Sequence, residues 1–277
     1  MSWKYSITLS SFRDLEPLEK SLENLNHQGF DTVEVYGEPD IIDVKKFSNL
    51  LGSFSMKVSG VTGMWGLSNG GHKLRYLITS NKDSFRAVQK YIKKCIVLCH
   101  TLGGNTFNIC LFSEVPLISD GNHKVLLSDE KRKLVNSTIE PLRHLAKYAG
   151  NYGVELLIEP LNRYSTPICT NSEDAKYIVD RVNEENVGIL LDTFHMNIEE
   201  DSIYDAIINS KRLLKHVHIS DNNRKMPGFA HINFETVTKA LKKIKYSRFL
   251  TFEPTVQNTC YKDDILTSLQ YLKDLSK

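Results

Sequence analysis

Short apolar runs rich in β-branched residues alternate along this chain with longer segments in which apolar residues recur every three or four positions. The short runs predict strands at Tyr5–Leu9, Asp31–Tyr36, Lys57–Val61, Thr106–Leu111, Val154–Glu159, Val187–Asp192, His216–Ser220 and Phe249–Glu253. The longer segments predict helices at Leu15–Gln28, Ile42–Phe54, Asp83–Leu102, Ser128–Gly150, Ser172–Val182, Asp201–Ser210, Phe234–Lys243 and Asp263–Leu275. Gly29 and the pair Gly103-Gly104 stand where the first and third helices must stop. Eight strand–helix alternations without a break in composition predict one α/β domain over residues 1–277, a single (β/α)8 TIM barrel. A doubly wound open sheet is the alternative.

The polar residues that close the last four runs favour the barrel. VELLIE ends on Glu159, VGILLD on Asp192 and FLTFE on Glu253, while HVHIS carries His216 and His218. In a closed parallel barrel the C-terminal strand ends converge on one face. Three carboxylates and an imidazole meeting there make a site for a divalent cation of the manganese or magnesium type. Any one strand-end carboxylate has an ordinary reading as a helix cap or a lysine partner; four polar ends in successive units point to the metal. Without a cation the like charges would repel and raise their own pKa values. His216 and His218 fall on the same side of their strand, and spacing leaves either one as the ligand. His195, three residues past Asp192 where the strand gives way to a loop, is a candidate donor to a substrate oxygen. Arg224, six residues past His218, can reach back over the site with a fixed fork of donors.

Composition narrows the partners. With 35 basic and 33 acidic residues the formal charge is +2, and a pI near 8.1 gives no reason to expect nucleic acid. The five cysteines, Cys95, Cys99, Cys110, Cys169 and Cys260, form no C-x-x-C pair. MSWKYSITLSSF lacks the apolar stretch of a signal peptide, and no run is long enough for a membrane span, so a cytoplasmic protein is expected. Two long loops follow strands. Thr62–Ser80 holds Gly63, Trp65, Gly66, Gly70 and Gly71, Phe112–Lys124 holds Pro116 and Gly121, and both are expected to cover the active face.

Four segments carry a resemblance. EPLNR (Glu159–Arg163), LDTFHMNIEED (Leu191–Asp201), HVHISDNNRKMPG (His216–Gly228) and FEP (Phe252–Pro254) resemble the ketose 3-epimerases, the D-tagatose and D-psicose 3-epimerase group of the xylose-isomerase-like barrels. The resemblance implies that Glu159, Asp192, His218 and Glu253 hold one divalent ion, Mn2+ foremost with Mg2+ or Co2+ as alternatives. It selects His218 over His216. It also implies that His195 and Arg224 bind a small-molecule sugar, and that the protein is a homodimer or homotetramer. The implied reaction belongs to an isomerase of carbohydrate metabolism that inverts C3 of a ketose. Glu159 and Glu253 flank that carbon as the catalytic pair: one removes the proton, a cis-enediolate forms, and the other returns a proton on the opposite face.

The chain departs from the family at one place. Its run is EPLNRYST, with Ser165 where the family carries a glutamate that contacts the substrate. An aldose–ketose isomerase or a polyol-ketone dehydratase on the same metal site is therefore the alternative. An apurinic endonuclease-like DNA repair enzyme is the remote one. Such enzymes gather several zinc ions, whereas His27, His72, His100, His123 and His144 fall mostly in helices and loops of the first half.

Overall fold

A computed structural model of the chain describes residues 3–64, 74–114, 118–119, 122–123, 128–257 and 261–277. Eight parallel strands close into a barrel: β1 (Lys4–Thr8), β2 (Thr32–Tyr36), β3 (Lys57–Thr62), β4 (Thr106–Ile109), β5 (Glu155–Ile158), β6 (Val187–Asp192), β7 (Leu214–Ile219) and β8 (Phe249–Phe252). Closure is direct. β1 pairs with β2 on one side and with β8 on the other, in register from Lys4 opposite Phe249 to Ile7 opposite Phe252. An open doubly wound sheet would leave those edges bare, so that alternative is set aside.

The helices are α1 (Leu18–His27), α2 (Val44–Ser53), α3 (Lys82–Thr101), α4 (Ser128–Gly150), α5 (Ser172–Val182), α6 (Thr193–Glu199), α7 (Ile203–Asn209), α8 (Phe234–Lys243) and α9 (Tyr261–Ser276). Several start where a short polar side chain accepts a backbone N–H of the first turn: Asp43, Asn81, Asn171, Ser202 and Asn233. The core lies between barrel and helices, with Ile7, Val33, Phe107, Ile158 and Phe252 among its fully buried side chains.

Of the two long loops, Trp65, Gly66, Gly70, Gly71, Pro116 and Gly121 lie outside the described residues, as does Cys260. The described ends of these loops meet where Ile78 bridges Ser113. The other four cysteines are buried free thiols. Among the described residues no helix is long and apolar enough to cross a membrane.

The N-terminal end of the barrel carries its own clamp. Glu155, at the start of β5, takes Lys215 Nζ from β7 at 2.7 Å and a forked pair of hydrogen bonds from Arg248, just ahead of β8. Burial alone would raise the Glu155 carboxyl, but Arg248 and Lys215 outweigh it and hold the group below its ordinary value. A carboxyl depressed in the folded chain stabilises it above the unfolded value, about 4.3. That contribution is lost as pH falls through the lower folded value. The gap in urea midpoint between wild type and Glu155→Gln is therefore expected to be widest above about pH 5 and to shrink as pH falls below about 4.3.

Candidate active site

The C-terminal strand ends bring the four expected side chains together. Glu159 and Glu253 each stand one residue past a strand, and their backbone N–H groups bond back to Ile109 and Ile219 of the neighbouring strands. Asp192 is the last residue of β6, and His218 is the next to last of β7. His218 Nδ1 lies 3.3 Å from Glu253 Oε2 and 3.8 Å from Glu159 Oε1. Two overlapping trios, Glu159–His218–Glu253 and Glu159–Asp192–His195, each have ligand atoms within 4.8 Å of one another. His216 is turned elsewhere: its Nε2 meets Thr251 Oγ1 at 2.8 Å and Glu34 Oε2 at 3.1 Å. Geometry thus brings His218, not His216, to the carboxylates.

His195 is not in a loop. Asp192 Oδ1 accepts the N–H of Phe194 at 2.9 Å, and this cap starts α6 directly at the strand end, placing His195 in its first turn. His195 Nδ1 accepts the backbone N–H of Asn162 at 3.0 Å, so the ring proton resides on Nε2. That Nε2 lies 3.1 Å from Arg224 Nη2 and 3.6 Å from Asp192 Oδ2. Burial pushes the His195 pKa down, which keeps the ring neutral.

Arg224 sits at φ +59°, in a turn where its N–H bonds to Asp221 O. The fully buried Asp221 carboxylate holds this loop by accepting the N–H groups of Gly228, Ala230 and Ile232. The turn aims the guanidinium inward. Nη1 is 2.7 Å from Asp192 Oδ2 and 2.9 Å from Glu253 Oε2, and the fork stacks 4.2 Å over the ring of Phe194.

The electrostatics of the two glutamates diverge. Burial raises Glu159, His218 opposes that rise, and Glu253 and Asp192 add to it, leaving the carboxyl well above its ordinary value. Burial would raise Glu253 too, but His218 and Arg224 outweigh it and hold the group down. Among the described residues of this cluster, two buried atoms make no hydrogen bond, Asp192 Oδ2 and His218 Nδ1. Asp192 Oδ2 lies 2.7 Å from Arg224 Nη1 and 3.6 Å from His195 Nε2.

Three further residues shape the site. Asn108, on β4, donates to Glu159 Oε2 at 2.5 Å while its Oδ1 accepts Gly63 N–H at 2.6 Å, and Cys110 Sγ lies 3.3 Å from the same Oε2. The Gly63 N–H fixes which end of the amide faces Glu159. A side chain at Gly63 would meet the buried Phe107 ring and come 2.9 Å from Asn108 O. Gly63→Ala is expected to cost about 1–3 kcal/mol of stability, read as a lower urea midpoint. Glu34, on β2, is the third. These positions look ordinary in TFNIC and TVEVY; the one available signal is a lone charge in the middle of a strand with both faces covered.

A cavity of about 490 Å3 opens over these groups, walled by Ser11, Arg13, Tyr36, Ser165 and Phe194 as well as Glu159, His195, Arg224 and Glu253. Ser165 faces it with its hydroxyl 3.4 Å from Asn162 Oδ1. That volume suits a small molecule.

Comparison with known proteins agrees with this architecture. A D-psicose 3-epimerase of Agrobacterium fabrum is 29% identical over 243 residues, spanning 85% of this chain and 78% of its own length. A 3-dehydro-D-guloside 4-epimerase of Escherichia coli is 33% identical over 129 residues, 47% of this chain and 48% of its own. The crystal structure of D-psicose 3-epimerase with D-tagatose from Clostridium cellulolyticum H10 superposes with a TM-score of 0.83, covering 99% of both chains at 22% identity, a likeness of fold. Residues 22–275 match one family throughout, and the chain belongs to it: the xylose isomerase-like TIM barrels.

Proposed function

We propose that this chain is a divalent-metal-dependent sugar epimerase that inverts C3 of a ketose, with Glu159 and Glu253 as the proton-transferring pair. The observation that carries this reading is the pair of buried atoms without a hydrogen bond, Asp192 Oδ2 and His218 Nδ1, beside the carboxylates of Glu159 and Glu253. Buried polar atoms are normally satisfied, and a cation held by Glu159, Asp192, His218 and Glu253 would satisfy both. An oxygen-rich set with one imidazole suits Mn2+, with Mg2+ or Co2+ as alternatives. When bound, such an ion supplies a Lewis acid for a carbonyl oxygen.

The remaining work falls to the chain. Asn108 and Cys110 hold Oε2 of Glu159 and fix how its carboxylate is turned. His195 offers its Nε2–H, and Arg224 its fork, to sugar oxygens. Their nitrogens approach to 3.1 Å as donor against donor, a contact that a ligand oxygen between them would relieve. Leu161 and Phe194 give the cavity an apolar stretch of wall.

The test is proton NMR in D2O with the Mg2+-loaded protein and a panel of ketoses. Loss of the C3 hydrogen with growth of the C3 epimer is expected. Ser165 on the cavity wall supports a second reading, because a hydroxyl there cannot replace a carboxylate against the substrate. Exchange at C1 with an aldose appearing would make the protein an isomerase, and a dehydrated ketone a dehydratase. Inversion at C4 would match the Escherichia coli relative instead. Chelation is expected to abolish turnover. It should also lower Tm by roughly 5–10 °C relative to protein at a hundredfold Kd of ion, since that excess contributes about 2.7 kcal/mol.

A further inference from the structure

Glu34 is the one charged residue of β2, and it is 3% exposed. The register between β2 and β3 shifts between Val33 and Glu34: Val33 pairs with Val58 but Glu34 with Gly60. Such a bulge re-aims a side chain. The re-aimed carboxylate reaches across the barrel to β7, which is not a neighbour of β2. Its Oε1 is 2.9 Å from His218 Nε2 and takes the Thr62 hydroxyl, while Oε2 is 3.1 Å from His216 Nε2.

Glu34, His216 and His218 have the residue types and closeness of an ion site themselves. Their contacts argue otherwise. Each of these three groups is turned toward another, and the His216 ring is also tied to Thr251 Oγ1 at 2.8 Å. The partnerless atom of the trio, His218 Nδ1, faces Glu159 and Glu253 on the other side of the ring.

We propose that Glu34 is a positioning residue of the metal centre: by accepting the Nε2–H of His218 it fixes the tautomer whose Nδ1 lone pair faces Glu159 and Glu253. This rests on the metal-binding reading given above. Thr62 and His216 act as braces, since together they occupy both carboxylate oxygens and stop the group from turning away. A carboxylate bonded to the far nitrogen of a ligating imidazole orients the ring and raises its basicity, and its loss typically costs 10–100-fold in metal affinity.

The experiment is calorimetric titration of metal-stripped, full-length protein with Mn2+, for wild type, Glu34→Gln and Glu34→Asp. Near-UV circular dichroism of each metal-free protein monitors the fold. Wild type is expected to bind one ion per chain. Glu34→Gln should bind one ion about 10–100-fold more weakly. In zinc-loaded, 15N-histidine-labelled wild type, NMR should find the His218 proton on Nε2. Should Glu34→Gln fail to fold, Glu34→Asp decides, because its shorter reach should weaken binding in the same direction. Unchanged affinity in the folded variant, with wild type binding normally, overturns the role of Glu34 alone. Two ions per wild-type chain would also overturn it, by making the Glu34 trio a site in its own right. A wild type that binds no ion sinks this inference together with the metal-binding reading beneath it.

Discussion

Glu159→Gln and Glu253→Gln are each expected to lower kcat for epimer interconversion by about 10²–10⁴-fold, the usual worth of a placed acid or base. Glutamine keeps the size and hydrogen-bonding reach of the carboxylate but cannot carry a proton. Both residues sit at the ends of strands fixed by the barrel ladder, so neither substitution should move its neighbours far. The two variants should also fail differently. With one glutamate left, a proton can still leave and return on that face alone. Each variant should therefore wash deuterium into one epimer of the pair while interconversion stops, and the two variants should choose opposite epimers. Wild-type interconversion by either variant, at saturating ion, would remove that glutamate from the chemistry.

Arg224→Met is expected to have the second largest effect, and on two observables. Asp192 is fully buried, and Arg224 is the cation at 2.7 Å from it and 2.9 Å from Glu253. Removing one partner of such a pair strands a buried charge. The cost is about 3 kcal/mol, the lower end of the usual range because the arginine side chain is one-fifth exposed. Urea unfolding of the metal-free variant should show it. Saturating Mn2+ should recover much of the loss, since the ion takes over the neutralisation. Turnover should not recover, because the fork proposed to hold sugar oxygens is gone. Arg224→Lys tests that separation: it keeps the charge and loses the planar fork, so stability should stay near wild type while kcat/KM falls. A variant that melts like wild type without metal would mean that Arg224 does not balance these carboxylates.

Much of this was readable in the sequence for a local reason. A polar residue that closes an apolar run is visible in a window of six residues, and the barrel turns that window into a place. Glu159, Asp192 and Glu253 are legible that way, His218 only through the family resemblance, and closure of the strands brings the four together. What the window hides is direction. His216 and His218 look equivalent at a spacing of two, and what separates their roles is Thr251 against the first and Glu159 and Glu253 beside the second. Glu34 itself depends on a bulge and on a strand across the barrel. Asn108 is silent for a similar reason, since its meaning comes from Gly63, one residue past the neighbouring strand β3. The first turn of α6 is hidden in the sequence because Asp192 looks like a strand end alone, when it is a helix cap as well.

The clamp of Glu155, Lys215 and Arg248 joins β5, β7 and β8, the strands that deliver Glu159, His218 and Glu253 at their opposite ends. Glu159 lies four residues after Glu155 along the strand, roughly 13 Å at 3.3 Å per residue. Substitutions that far apart combine nearly additively. An engineer can therefore harden the floor of this molecule against heat and retune Ser165 for a new sugar in parallel campaigns, then merge the winners without expecting one to undo the other.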